Sequence, residues 1–190
     1  MKLVQEVRDK GHLAGFVVGG GKIVMAAVSQ SWLLFIHAIY NIVKANANRY
    51  ARRAEAASGA TMFYSGLLVI GASAVYLAYS VYIFLFGSTA SYHMYVAIGI
   101  AAVTAYEITI TLYGLRKARR RKDVYEETIR LINLASALIS VSLTQTAILS
   151  FTNEGDMSRV YAVGDATFGT LALAVGIFML VRAKGLKNEE

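Results

Sequence analysis

Two acidic residues lie inside long apolar stretches of the sequence, and they are the side chains best placed to do chemistry. Glu107 is the only charged residue in the stretch 95–115, and Asp165 is the only one in 160–181. Ionisable groups inside apolar helices are costly, so each is a candidate for an ion or proton site. Polar groups in such helices also join neighbouring helices through hydrogen bonds, which is their commoner use.

Other patterns that signal catalysis or metal binding are missing from the sequence. There is no cysteine, which excludes disulfides, thiolate catalysis and cysteine-ligated metals. The histidines His12, His37 and His93 lack the HExxH spacing, and there is no Gly-x-Ser-x-Gly motif. Glycines 19–21 are not a phosphate loop, because the Gly-Lys-Ser/Thr ending is absent. We therefore predict a protein that is not an enzyme and that binds no metal or cofactor.

The elements that position Glu107 and Asp165 follow from the long uncharged runs. Hydrophobic residues make up 56% of the 190 residues and charged residues 16%, against roughly 25% charged in average soluble domains. About 21 helical residues reach roughly 32 Å, enough to cross a hydrocarbon core of about 30 Å. A backbone in that core must satisfy its own hydrogen bonds, so each run should be a helix. Four runs qualify as spans: residues 62–86, 95–115, 131–151 and 160–181.

Positive charges indicate how these spans are oriented. Lysines and arginines cluster in residues 44–59, in the run RKARRRK at 116–122 and in the C-terminal tail. The loops at 87–91 and 152–159 hold only one arginine between them. The positive-inside rule places the three basic segments in the cytoplasm. The sequence thus predicts a multi-pass membrane protein with a cytoplasmic C-terminus.

The basic run beside the second span is suited to anionic lipid. Such contacts are worth about 1 kcal/mol for each basic residue near the membrane surface. Basic clusters also attract nucleic acid, but a short run without a recognisable binding fold is weak support, and we predict no nucleic-acid partner. The residues predicted to contact anionic lipid are Arg116, Lys117, Arg119, Arg120, Arg121 and Lys122.

The stretch from Leu13 to Val43 allows two interpretations. Its apolar content could support a fifth transmembrane helix. Its polar residues, however, recur at helical spacing and continue to Asn48, a pattern typical of an amphipathic helix lying in the membrane interface. The interfacial helix also keeps the basic N-terminus inside, so it is the preferred interpretation.

These observations predict an all-α fold. Residues 1–59 form an N-terminal amphipathic, interfacial helical segment with a basic linker, and residues 60–190 form a transmembrane four-helix bundle. Five transmembrane helices are the alternative.

Two polar helix faces are predicted to pack together around Glu107. At about 1.5 Å per residue, Glu107 lies at the depth of Ser140 on the next span, with Ser136 and Asn133 one and two turns nearer the cytoplasm. These four residues are the candidate intramembrane polar site. The face that carries Glu107 also holds Ala97, Thr104, Thr111 and Gly114. The facing stripe consists of Asn133, Ser136, Ala137, Ser140, Thr144 and Ala147.

A second polar layer is predicted nearer the outside, formed by Asp165, Gln145, Tyr76 and Tyr79. One hypothesis is a polar vestibule in which Asp165 attracts cations. The preferred interpretation is that the tyrosines lie at the membrane interface and that Asp165 is the N-cap of a helix beginning at Ala166.

A resemblance adds an expectation about the source of the protein. It covers residues 92–151, including YHMYVAIGIAAVTAYEITITLYGLRKARRRK and LINLASALISVSLTQTAILSF, and it depends on Glu107, Asn133, Ser140, Thr144 and Gln145. This part of the chain resembles a group of small multi-spanning membrane proteins of Gram-positive bacteria that has no established activity. The resemblance implies a bacterial plasma membrane and carries over no catalytic residues.

Two functional hypotheses follow. The first is a non-catalytic membrane component that works by helix association, with itself as a homo-oligomer or with another membrane protein. It is favoured by the small-residue stripes and by the absence of catalytic patterns. The alternative is a small ion- or proton-coupled transporter or channel subunit that uses Glu107.

Overall fold

A computed structural model describes residues 32–53, 59–87, 92–152 and 157–187. Within these residues the chain is all helical and contains no strand. The predictions for the glycines at 19–21 and for His12 lie outside the described residues. The described helices are α1 (Trp32–Arg53), α2 (Gly59–Phe86), α3 (Met94–Arg121), α4 (Val124–Thr152) and α5 (Ser158–Lys187).

Four of these helices, α2 to α5, are long and apolar enough to cross a membrane. They contain the four predicted spans, and the predicted all-helical bundle is confirmed. Each helix extends beyond its apolar run. Helix α3 continues through the basic run to Arg121, because lysine and arginine are good helix formers and suit the negative end of the helix dipole.

A tight connection joins α3 to α4. Lys122 adopts the left-handed conformation (φ 53°) and its backbone N–H bonds to the carbonyl of Arg119, which ends α3. The side chain of Asp123 then accepts a hydrogen bond from the Glu126 N–H (2.9 Å) and caps α4. The two helices are therefore antiparallel neighbours whose basic and acidic ends meet. We call the end of the bundle that holds this connection the basic end.

The helices are arranged around α4, which packs against each of the other four. Helices α2 and α5 form the most extensive pair, whereas the backbone of α3 lies beside α4 alone. The main apolar core consists mostly of side chains from α1, α2, α4 and α5, including Met62, Tyr76, Ile132 and Met179, and α3 contributes Leu115. Helix α4 is therefore the element that relates the predicted polar groups to one another.

Glycines set the distance between α2 and α5. A Cβ atom on Gly66 would lie 3.2 Å from the carbonyl oxygen of Gly176, and a Cβ on Gly176 would lie 3.3 Å from that of Gly66. A Cβ on Gly176 would also approach Ile70, at 2.7 Å from its Cγ1 and 3.2 Å from its N. The two backbones are thus in direct contact, which small residues at a helix interface allow.

Helix α1 lies lengthwise in the bundle. Near the basic end the rings of Tyr50 and Tyr64 are 6.0 Å apart, and further along the helix Tyr40 lies beside Ser73 of α2. From Tyr50 to Tyr40 is about 15 Å of helix and from Tyr64 to Ser73 about 13 Å, in opposite directions along the chain. Helix α1 therefore runs antiparallel to α2 over this length.

The prediction of an N-terminal interfacial helix falls only partly on α1, because residues 13–31 lie outside the described residues. The described part packs against α2 and α4, and Tyr40 lies beside Ser73 in the middle of α2. Helix α1 also continues through the predicted basic linker to Arg53. The polar stripe arises because this helix faces polar partners on α4, among them Asn133. Among the described helices, α1 is not one of the four that are long and apolar enough to cross a membrane, so the predicted four-span bundle stands.

We predict that Gly176→Ala destabilises the bundle. The added methyl group must separate α2 from α5, and overpacking of this kind costs about 1–3 kcal/mol. The measurement is the free energy of unfolding in detergent. The matched control is Gly71→Ala, because no atom lies within 4 Å of a Cβ at that position, and alanine there gains up to about 1 kcal/mol of helix propensity. Equal effects of the two substitutions would contradict the close contact.

Candidate functional site

The predicted polar faces of α3 and α4 pack together. Thr144 donates a hydrogen bond to Thr104 (3.0 Å), and Thr104 donates to the backbone carbonyl of Ser140 (3.4 Å). The other predicted members of the α3 face, Ala97, Thr111 and Gly114, are all buried. Small and hydroxyl-bearing residues let the two backbones approach while their polar groups bond across the interface.

Glu107 lies at the edge of this interface. Its Oε2 is 3.5 Å from Ser140 Oγ, the outer limit for a hydrogen bond, and about a third of its side chain is exposed. Its Oε1 lies 3.8 Å from Lys44 Nζ of α1. The carboxylate therefore has a cationic partner, and the pair links α3 to α1 across α4.

Sequence analysis missed the partnership with Lys44. From the sequence alone, this lysine belongs to the basic segment 44–59 and lies within the polar stripe that continues to Asn48. The stripe did contain the necessary signal, because a lysine in a helix that packs within a bundle must find an acidic partner. Glu107 is the single acidic residue of the apolar part of α3.

Asn133 and Ser136, the other two members of the predicted site, lie in surroundings different from those of Glu107. Asn133 accepts a hydrogen bond from Asn48 of α1 (3.3 Å). Ser136 is buried on α4, and no hydrogen bond joins it to Glu107 in the described part of the chain. The structure thus brings Glu107 and Ser140 together, whereas Asn133 helps to hold α1 against α4.

Asp165 forms a second polar centre in the other half of the bundle. It is fully buried, and its Oδ1 accepts hydrogen bonds from Tyr76 Oη (2.8 Å) and from Ser142 Oγ. The centre therefore joins α2, α4 and α5. The prediction that Asp165 caps a helix beginning at Ala166 is wrong, because α5 begins at Ser158 and Asp165 lies in its interior.

Some oxygen atoms around this centre have no hydrogen-bond partner among the described residues. One is Asp165 Oδ2 itself. Thr146 lies one turn from Ser142, and its hydroxyl is buried without a partner among the described residues. Ser73 lies one turn from Tyr76, and its hydroxyl is next to that of Tyr40. Buried polar atoms of this kind are rare, and each calls for a water, an ion or a functional role.

The remaining members of the predicted outer layer, Tyr79 and Gln145, make no hydrogen bond with Asp165. Tyr79 is largely buried on α2 and stacks on Tyr82. Gln145 lies against Gly164, whose Cβ would be 2.4 Å from Gln145 Oε1, and it makes no hydrogen bond with a described residue. Sequence analysis missed Ser142, because it faces away from the stripe that packs on α3.

A third cluster holds the basic end together. The buried carboxylate of Glu127 lies 3.2 Å from Arg119 Nε of α3 and 3.9 Å from Arg182 Nε of α5. Arg119 also lies over the ring of Phe178. Arg119 therefore has partners inside the protein, although half of its side chain is exposed. The other predicted lipid contacts, Arg116, Lys117, Arg120, Arg121 and Lys122, are exposed as well.

Comparison with protein-family models, curated proteins and solved structures finds no match for this chain. The resemblance to small membrane proteins of Gram-positive bacteria stays a prediction. Among the described residues, no three His, Cys, Asp or Glu side chains come together as a metal site would require. The function has to be inferred from the three polar clusters and from the surfaces of the bundle.

We predict that the Lys44 and Glu107 side chains are energetically coupled. Lys44→Met or Glu107→Gln leaves one partly buried charge without its partner, so the double variant should lose less stability than the sum of the single variants, by about 1 kcal/mol. A double-mutant cycle on unfolding in detergent measures this difference. Glu107→Gln combined with Lys184→Met is the control, because Lys184 is exposed at the basic end. Additive losses for Lys44 and Glu107 would contradict the pair.

Proposed function

We propose that this chain is a multi-pass membrane protein of the bacterial plasma membrane that works by associating with a further membrane helix. The four long apolar helices support membrane insertion. The basic end carries the RKARRRK run and the end of α5, so the positive-inside rule favours a cytoplasmic C-terminus. Anionic lipids of the inner leaflet are the partners expected at that end.

The observation that supports association is an open groove between α4 and α5, in the half of the bundle away from the basic end. Its volume is about 420 Å³, and Gln145 is set among apolar side chains along it. Val160 and Val163 beside it are 42% and 59% exposed. The lining residues are Gln145, Arg159, Val160, Val163, Gly164, Thr167 and Phe168.

The amide of Gln145 needs a partner if this groove faces lipid. No hydrogen bond with a described residue satisfies it, and acyl chains offer neither donor nor acceptor. Side-chain amides of this kind join transmembrane helices by hydrogen bonding across their interface. An amide both donates and accepts, so the grooves of two copies related by a twofold axis can satisfy each other. We therefore take a second copy of the chain as the partner.

The polar clusters inside the bundle support the same function. Glu107 is paired with Lys44 and lies at the limit of bonding to Ser140, so it serves to join α1, α3 and α4. Glu127 similarly joins three helices at the basic end. Because these carboxylates hold the helices together, they keep the bundle rigid and the Gln145 groove in a fixed shape.

We expect Gln145→Leu to weaken self-association in a bilayer. Leucine keeps the volume of the side chain and removes the hydrogen bond, which is worth about 0.6–1.7 kcal/mol between transmembrane helices. The dissociation constant should rise roughly three- to fifteen-fold. Energy transfer between labelled copies in liposomes, diluted with lipid, measures this constant.

The matched control for this experiment is Thr109→Val. Thr109 is exposed on α3 and donates only within its own helix, to the carbonyl of Ala105. Its removal should leave association unchanged. A wild-type chain that stays monomeric at every lipid dilution would overturn self-association through the groove, as would a Gln145→Leu variant that associates like the wild type.

One observation favours a second function, ion- or proton-coupled transport. Among the described residues, Asp165 Oδ2 is buried without a partner, and so is the hydroxyl of Thr146 on α4. An ionisable group turned into the interior of a membrane bundle is a feature of ion pathways. The candidate residue for transport is therefore Asp165 rather than Glu107, whose charge is matched by Lys44.

Flux into proteoliposomes separates the two functions. Association alone predicts proton and alkali-cation fluxes no greater than those of protein-free vesicles at every pH between 5 and 8 (roughly the range in which membranes and proteins are both stable). Transport would instead give a flux that Asp165→Asn abolishes. Glu107→Gln is the matched acid-to-amide control and should leave such a flux intact.

A further inference from the structure

A cleft at the basic end lies between α3 and α4, about 540 Å³ in volume. It differs from the Gln145 groove in position and in charge. Its lining residues are Thr109, Ile110, Tyr113, Gly114, Lys117, Ala118, Arg121, Asp123, Glu126 and Arg130.

The cleft is amphiphilic along its length. Ile110 and the strongly exposed Tyr113 line the part that lies within the apolar run of α3. Lys117 and Arg121 line the part beyond the end of that run. The helix between Ile110 and Arg121 is about 17 Å long. Over this length the surface of the cleft changes from apolar to cationic. The length matches the headgroup of a lipid together with the first part of its acyl chains.

The positive charges in the cleft outnumber the negative ones, and the carboxylates are already engaged. Glu126 Oε1 accepts hydrogen bonds from Arg130 Nε (2.9 Å) and Nη2 (2.5 Å). Asp123 caps α4 through the Glu126 N–H. Lys117 and Arg121, in contrast, make no ion pair with a described residue. The cleft therefore has an excess of positive charge, which an anionic ligand would neutralise.

Gly114 positions the third cation. A Cβ atom there would lie 2.3 Å from Arg130 Nε and 2.6 Å from its Cζ, so the guanidinium group rests directly on the backbone of α3. Glu126 holds it in this orientation, and the guanidinium has further N–H groups that can donate to an oxyanion. The small residues Gly114 and Ala118 form the floor on which a headgroup fits.

We propose that this cleft is a binding site for one anionic phospholipid, whose phosphate lies between Lys117, Arg121 and Arg130 and whose acyl chains lie along Ile110 and Tyr113. A soluble phosphate would use the cationic part alone and leave the apolar wall unused. Diffuse attraction of anionic lipid would treat all exposed basic residues of the run alike. The site depends on the membrane position proposed above and is independent of the Gln145 groove.

Competition between lipids in the purified full-length protein tests the site. The protein is exchanged into a neutral detergent, titrated with phosphatidylglycerol or phosphatidylcholine and examined by native mass spectrometry. We expect one phosphatidylglycerol to bind at least about tenfold more tightly than phosphatidylcholine. Lys117→Gln combined with Arg121→Gln should remove about tenfold or more of that preference, since each basic residue contributes near the surface.

The matched control is Arg116→Gln combined with Arg120→Gln. This variant removes the same charge from the same run at exposed positions that do not line the cleft, and it should keep the preference. Gly114→Ala provides a second variant without any change of charge, and displacement of Arg130 should weaken the bound lipid severalfold. Circular dichroism and the melting temperature show that each variant is folded.

Three results would overturn the site: no preference for phosphatidylglycerol, equal losses in the two double variants, or full displacement of the lipid by millimolar inorganic phosphate. The last would identify a soluble phosphate site. Because self-association of these variants is measured separately by energy transfer, loss of the lipid with intact association, or the reverse, distinguishes failure of this site from failure of the proposed function.

Discussion

The need of each buried polar side chain for a partner on another helix determines how this bundle is assembled. The apolar surfaces of the helices are alike, and apolar contact by itself selects no register between them. Polar contacts do select one, because an unpaired group inside the bundle is costly. Thr104 bonds to Thr144 and Asp165 to Tyr76 at one relative position of the helices only. The register of α3 on α4, and of α2 on α5, follows from these pairs.

Three carboxylates form polar contacts between helices, each at a different level along the bundle. Glu127 gathers α3, α4 and α5 at the basic end, Glu107 joins α3 to α1 at the middle, and Asp165 joins α2, α4 and α5 in the other half. Helix α4 takes part at every level, which explains why it is the most buried of the four apolar helices. The first two carboxylates have cationic partners, whereas Asp165 has only hydroxyl donors among the described residues.

A feature of this fold could be predicted from the sequence when the pattern that indicates it lies within one segment of the chain. The four apolar helices follow from hydropathy, and the facing of α3 and α4 follows from two stripes at helical spacing. The position of α1 does not, because a polar stripe is the same whether it meets headgroups or Asn133 of another helix. Asp165 after Gly164 resembles an N-cap locally, and only the partners Tyr76 and Ser142 on other helices place it inside α5. Both partners are distant in sequence, and although the depth of Tyr76 placed it in the same predicted layer as Asp165, Ser142 had no such signal.

The two proposed binding surfaces use the opposite flanks and opposite ends of α4, and this separation has a physical consequence. The lipid cleft lies where α4 begins, beside α3, and the Gln145 groove lies toward the end of α4, beside α5. Their residues share no partner, so substitutions in one should act additively with those in the other. The route between them passes through Glu127 and the packed middle of α4. A lipid that only fills the cleft makes no differential contact with two states of the groove, and without such a difference it cannot shift association.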